Sequence, residues 1–114
     1  MNFFSKLTQA IERNQSLLCI GLDPVADLLP PGLDLYSRLV DWGRKIISET
    51  ADLVCCYKPN IAFFEQFGPK GLRALVDFTK DIPADIPLLL DAKRGDIGSS
   101  AEAYARGVYG HFRA

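Results

Sequence analysis

The sequence is short of the residues on which several common chemistries depend. It contains one histidine, His111, and three cysteines, Cys19, Cys55 and Cys56. A single histidine near the end, with no partner in sequence, reads as an ordinary surface residue and supports neither a nucleophilic triad nor a histidine metal centre. The cysteines are odd in number, two are adjacent, and all lie inside apolar runs. That pattern favours buried, reduced thiols over disulfides or a metal site, and a cytoplasmic setting. Glycines are dispersed, with no G-x-G-x-x-G and no phosphate-loop pattern. No run approaches the ~18 apolar residues of a membrane span. The start, MNFFSKLTQAIERNQ, lacks the basic end, long apolar stretch and cleavage site of a secretory signal. An excess of one charge is missing too. Lys+Arg number 13 against 14 Asp+Glu, a net charge of −1 with the basic residues scattered, so nothing argues for nucleic acid or an anionic membrane as partner.

What remains is an ordinary globular composition, 48% hydrophobic and 24% charged, in 114 residues, enough for one modest domain. Three apolar runs are each long enough for a buried strand: SLLCIGL (16–22), DLVCCYKP (52–59) and IPLLLDAK (86–93). None alternates with polar residues, which suits parallel strands covered on both faces. Helical stripes fill the gaps. Leu35, Leu39, Trp42 and Ile46 share one face, as do Leu72, Leu75 and Val76 behind Pro69 at a helix start. After the third run, Ser99 with Glu102 reads as a capping box, followed by Ala101, Ala105, Val108 and Phe112 on one face. An N-terminal helix carries Phe3 or Phe4, Leu7 and Ile11. LLPPGLD (28–34) reads as a loop extension.

The order α-β-α-β-α-β-α makes this an α/β protein with a parallel sheet and right-handed crossovers. Three parallel strands leave both sheet edges open. The chain 1–114 is therefore expected to be a partial (β/α)8 (TIM) barrel, an N-terminal helix plus the first three βα units, with the C-terminal units absent.

In such sheets ligands bind beyond the carboxyl ends of the strands. All three runs end in polar residues: Asp23 after the first, Lys58 and Asn60 after the second, and DAKRGD after the third. The strand period of two puts Asp91 and Lys93 on one face with Ala92 opposite, and Arg94 off the lysine face as a surface or interface charge. Lys58 reaches that face from the neighbouring strand, and Asp96 projects over it. Like charges about 4 Å apart cost roughly 4 kcal/mol at an effective dielectric near 20, so interleaving Lys58, Asp91, Lys93 and Asp96 by sign relieves the crowding. A structural salt-bridge network is the bland alternative, but buried ion pairs are weak sources of stability, which favours function. Phe63, Phe64, Phe67 and Trp42 read as core.

LCIGLDP (18–24), YKPNIAFFEQFG (57–68) and LLLDAKRGDIGSSAEAYA (88–105) together resemble the orotidine 5′-phosphate decarboxylase family, in its long-chain bacterial group. The last stretch, Asp-x-Lys-x-x-Asp followed by Ile-Gly-Ser, is the most specific. The resemblance implies a (β/α)8 barrel and a homodimer. It implies a carboxy-lyase of de novo pyrimidine biosynthesis that converts orotidine monophosphate to UMP and carbon dioxide with no metal and no organic cofactor. It implies that Lys93 gives the proton to pyrimidine C6 and that Asp91 faces the substrate carboxylate. Lys58 then orients Asp91 and touches the ribose, and Asp96, with Ile97, reaches into the partner subunit's site. Asp23 would bind the sugar hydroxyls. Ser100 stands where the family usually has threonine, with the hydroxyl kept. No residue in 1–114 matches the family's phosphate or pyrimidine-amide contacts, so the isolated chain is expected to bind substrate poorly.

Two other readings stay open. One is a magnesium-dependent sugar-phosphate decarboxylase of the same barrel superfamily, against which Lys58 argues. The other is a truncated, non-catalytic interaction fragment, against which the intact set of four charged residues argues.

Overall fold

The computed structural model describes residues 1–113. Helix α1, Phe3–Asn14, starts where the Asn2 side chain accepts a bond from the Ser5 amide at 2.9 Å. It ends at Gln15, in a left-handed conformation. The Asn14 side-chain amide donates to the carbonyls of Ala51 (3.1 Å) and Val54 (2.8 Å), pinning the helix end to the following crossover. Its apolar side, Phe3, Leu7 and Ile11, packs on Ala10, Cys55 and Cys56, while Phe4 stays exposed.

Strands β1, Cys19–Leu22, and β2, Cys56–Pro59, run parallel, in register from Cys19 opposite Cys56 to Leu22 opposite Pro59. The third apolar run pairs in parallel on the other side of β2. Tyr57 donates to the Pro87 carbonyl and accepts from the Leu89 amide, and Asp91 donates to Pro59 and accepts from Ile61. The expected continuous strand over 86–93 is instead an extended segment joined at two places, Tyr57 with Leu88 and Asn60 with Asp91. The rung missing between them belongs to Pro59, which has no N–H to give.

One face of this sheet is closed by helices α2, Leu35–Thr50, and α4, Pro69–Phe78. Leu22, Tyr57 and Leu88 point into that core, where they meet Leu39, Ile47, Phe64, Leu75 and Phe78. Phe64 belongs to the short helix α3, Ala62–Glu65. Phe64 and Trp42 both contact the Phe78 ring, at centroid distances of 5.8 and 6.0 Å. Of the aromatic residues read as core, Phe64 is buried while Trp42, Phe63 and Phe67 pack half-buried against the core, and Pro69 opens α4 as expected. The loop over 28–34 follows a 3₁₀ turn at Ala26–Leu28 and is tied down by the Arg38 guanidinium on the carbonyls of Ala26, Leu29 and Pro30.

The opposite face is only partly covered. Helix α1 protects Cys56, but Cys19 is exposed, contrary to the expectation that all three thiols are buried. An apolar run marks a strand without saying which end of which face its neighbours cover. All three thiols are free.

Helix α5, Gly98–His111, begins two residues earlier than a Ser99 cap requires. Ile97 is the capping residue and gives no side-chain bond, and Glu102 pairs with Arg106 one turn on instead of closing a capping box. The helix contributes no fully buried residue. Phe112 and Arg113 fasten its end, the first by packing on the core and the second by bonds to the carbonyls of Thr79 (2.6 Å) and Ile82 (2.9 Å).

Candidate active site

The three parallel segments end side by side, and their last side chains do different things. Beyond β1, Asp23 Oδ1 accepts a bond from the Asn60 amide at 3.1 Å, tying the tip of β1 to the tip of β2. Gly21 lies beside this carboxylate. A Cβ there would come within 3.3 Å of Asp23 Oδ2, so the glycine leaves that side chain room. Asn60 in turn accepts from the Ala62 amide (3.1 Å) and starts α3.

In the third segment Leu90 and Ala92 pack against the core, which sends Leu89, Asp91 and Lys93 to the open face. The Asp91 carboxylate and Lys93 ammonium form an ion pair there, with 29% and 67% of their side chains exposed. Lys93 adopts φ +51°, left-handed backbone that a residue with a Cβ enters only at a cost of about 1–2 kcal/mol.

A cleft of about 630 Å³ opens between this segment and α5, and Lys58, Asp91, Lys93 and Asp96 all line it. Arg94 and Tyr104 complete its outer side. Four charged groups expected to share one space therefore share it. Only one pair among them is in contact. Lys58 has no ion-pair partner among the described residues, and Asp96 accepts from the Ile97 amide at 2.8 Å. The expected chain of alternating charges is realised as one ion pair with a cation and an anion facing the same cleft.

The remaining candidates lie elsewhere. Ile97 is 85% exposed and Ser100 is exposed on the first turn of α5, and neither lines the cleft. His111 is exposed at the end of α5. Among the described residues, no group of three or more His, Cys, Asp or Glu side chains is placed to hold a metal ion, and no helix is long and apolar enough to cross a membrane.

One feature of the site is absent from the residues singled out by sequence for chemistry. The Arg94 guanidinium pairs with Glu65 at the end of α3, donates to the Ala92 carbonyl at 2.8 Å, and lies 5.6 Å from the Tyr104 ring centroid. The strand period places it off the lysine face, as expected, but nothing in the sequence links it to a glutamate 29 positions away.

Residues 16–114 match the model of the Orotidine 5'-phosphate decarboxylase / HUMPS family. The orotidine 5'-phosphate decarboxylase of Thermomicrobium roseum is 50% identical over 110 residues, which is 96% of this chain and 39% of that protein. A solved structure from Toxoplasma gondii superposes with a TM-score of 0.91 at 51% identity, covering 99% of this chain and 38% of its own. The OMP decarboxylase structure from Leishmania donovani gives a TM-score of 0.82 at 38% identity, covering 100% and 42%. The chain thus spans about 40% of the length of the curated relatives it matches.

Proposed function

Because the chain belongs to the orotidine 5'-phosphate decarboxylase / HUMPS family, we propose that it is the N-terminal part of a (β/α)8-barrel orotidine 5′-phosphate decarboxylase. Residues 1–114 supply the helix α1 and the first three βα units of that barrel. The observation that carries the reading is the Asp91–Lys93 pair on the open sheet face, in one cleft with Lys58 and Asp96. The parallel pairing of three consecutive segments supports the barrel. The relatives' shared name supports orotidine monophosphate as substrate over the sugar-phosphate alternative.

The chemistry follows from the charges. Breaking the bond from pyrimidine C6 to its carboxylate releases carbon dioxide and leaves the electron pair on C6. No ring carbonyl conjugates directly with that pair, so fixed charge must stabilise it. The Lys93 ammonium supplies the charge, then gives its proton to C6 to form UMP, and the amine recovers a proton from water. Asp91 holds the ammonium in place and sets a negative charge beside the departing carboxylate, which favours the state that has shed it. Lys58 and Asp96 hold the remaining electrostatic balance, with Asp96 and the exposed Ile97 turned toward a second subunit of a homodimer. Asp23, anchored on Asn60, and Ser100 take the sugar hydroxyls. These residues need no cofactor for that step. The phosphate grip belongs to later units of the barrel, and phosphate contacts carry much of the binding that supports such chemistry.

The test substitutes this chain for its matching segment in the Thermomicrobium roseum relative. The chimera should convert orotidine monophosphate to UMP in EDTA, and Lys93→Ala should remove nearly all turnover, by about 10³-fold or more, the order expected when a positioned proton donor and its charge are both lost. A chimera that turns over equally well with alanine at 93 would sink the assignment of Lys93, and a magnesium requirement would favour the sugar-phosphate alternative.

A further inference from the structure

The geometry points to Arg94 as a positioning residue for Lys93, acting through Glu65 and Tyr104. The last backbone bond between β2 and the third segment is made by the Asp91 carbonyl with the Ile61 amide. From Ala92 to Ile97 the backbone has no partner in the sheet, and yet this stretch carries both Lys93 and Asp96. Within it Lys93 holds the left-handed conformation at φ +51°. A non-glycine residue in that region returns to extended backbone unless its surroundings fix it.

Beyond the packing of Ala92 and the Lys93–Asp91 pair, the side chain of the stretch that ties it to separate elements is that of Arg94. Its guanidinium does three things at once. It donates to the Ala92 carbonyl at 2.8 Å, so the residues flanking Lys93 on both sides are joined by one side chain. It pairs with Glu65, which α3 holds at the end of the turn after β2. It stacks toward Tyr104, 5.6 Å from the ring centroid, on helix α5. Two fixed elements and the local backbone thus converge on one planar group with donors enough for all of them. The consequence is directional: with Arg94 anchored on the outer side, the reversed backbone at 93 aims the ammonium at Asp91.

The kinetic readout of this inference rests on the decarboxylase reading; a spectroscopic readout does not. Both are made in the chimera described above, in the parent, Arg94→Ala, Arg94→Met and Glu65→Gln. Methionine keeps an apolar stem against Tyr104 while removing the fork, so it separates packing from tethering. Reductive ¹³C-methylation of lysines gives each ammonium its own NMR signal. The Lys93 signal, assigned by its loss in Lys93→Ala, should stand apart from the exposed lysines in the parent and move into their range in all three variants. Turnover should fall about tenfold to a hundredfold with KM held within about twofold, the pattern of a misplaced reacting group rather than of lost binding. A Lys93 signal unmoved in Arg94→Met and Glu65→Gln overturns the inference, whatever the turnover. A parent chimera without turnover whose Lys93 signal still moves refutes the decarboxylase reading and upholds the tether.

Discussion

Two glycines in helices should answer the same substitution with opposite signs. Gly43 lies in α2 where that helix crosses α4, and an added Cβ would sit 2.4 Å from two atoms of the Phe78 ring. Carbon atoms rest at about 3.5–4.0 Å, so the overlap exceeds about 1 Å. The ring has nowhere to retreat. Phe78 is 0% exposed, with Trp42 set edge-on against it and Phe64 on another side. Overpacking of this kind costs about 1–3 kcal/mol, and a boxed ring puts it toward the upper end. Replacing glycine by alanine in a helix returns about 1 kcal/mol of propensity. The net for Gly43→Ala is a loss of about 1–2 kcal/mol. Gly107, in α5, has nothing within 4 Å of a built Cβ. There only the propensity acts, and Gly107→Ala should gain about 0.5–1 kcal/mol.

The two variants then differ by about 1.5–3 kcal/mol, which for a chain near 100 residues separates their melting temperatures by roughly 10 °C. Thermal unfolding followed by circular dichroism, with urea unfolding to check that the slope m is unchanged, measures the difference directly. Gly43→Ala melting at or above the parent would refute the close approach of α2 to α4, and with it the packing that holds the outer face of the sheet.

Two further outcomes follow from the ionisable groups. Tyr36 donates to Asp77 at 2.5 Å, and this bond holds the Asp77 carboxyl below the usual range while it raises the Tyr36 phenol. Its contribution is therefore present above a pH of about 4 and lost as acid protonates Asp77, and present below about 10 and lost as base ionises Tyr36. Tyr36→Phe should flatten the stability profile at both ends, and a profile with both limbs intact in that variant contradicts the assignment. Burial, with the neighbouring Cys19 second, pushes the Cys56 thiol up to about 12. Brief alkylation of the native protein at pH 8 should mark the exposed Cys19 and spare Cys55 and Cys56, as read by peptide mass mapping. Equal labelling of Cys56 would mean that α1 does not cover it.

The parallel order of the sheet was legible because the three apolar runs carry no polar alternation and each gap holds one helical stripe. The pairing of face to residue at 90–93 was legible for the same reason, since a period of two with Ala92 against the core leaves Asp91 and Lys93 no other side. What escaped is set by contacts between distant segments. Pro59 breaks the ladder to the third segment, but only the register reveals which rung it removes. Ser99 and Glu102 have the spacing of a capping box, yet Ile97 takes the capping position and Glu102 finds Arg106. Cys19 shares its run with Leu22, which is 0% exposed, and is itself exposed because α1 reaches its neighbour Cys56 and stops.

The charged tip of the third segment is hard to explain as a device of stability. An ion pair with two-thirds of one side chain in water contributes about 0–1 kcal/mol. The left-handed backbone that delivers Lys93 to it costs about as much or more. The local balance is therefore near zero or unfavourable, and Arg94, Glu65 and Tyr104 are spent holding an arrangement that the fold alone does not reward. Backbone strain fixed from outside, beside paired charges and over an open cleft, fits the proposed decarboxylase reading, in which an already oriented ammonium meets a charge that forms only during reaction. By this reasoning Lys93→Leu should leave the chain as stable as the parent or more so while removing its use, which is the reverse of what a structural salt bridge would do.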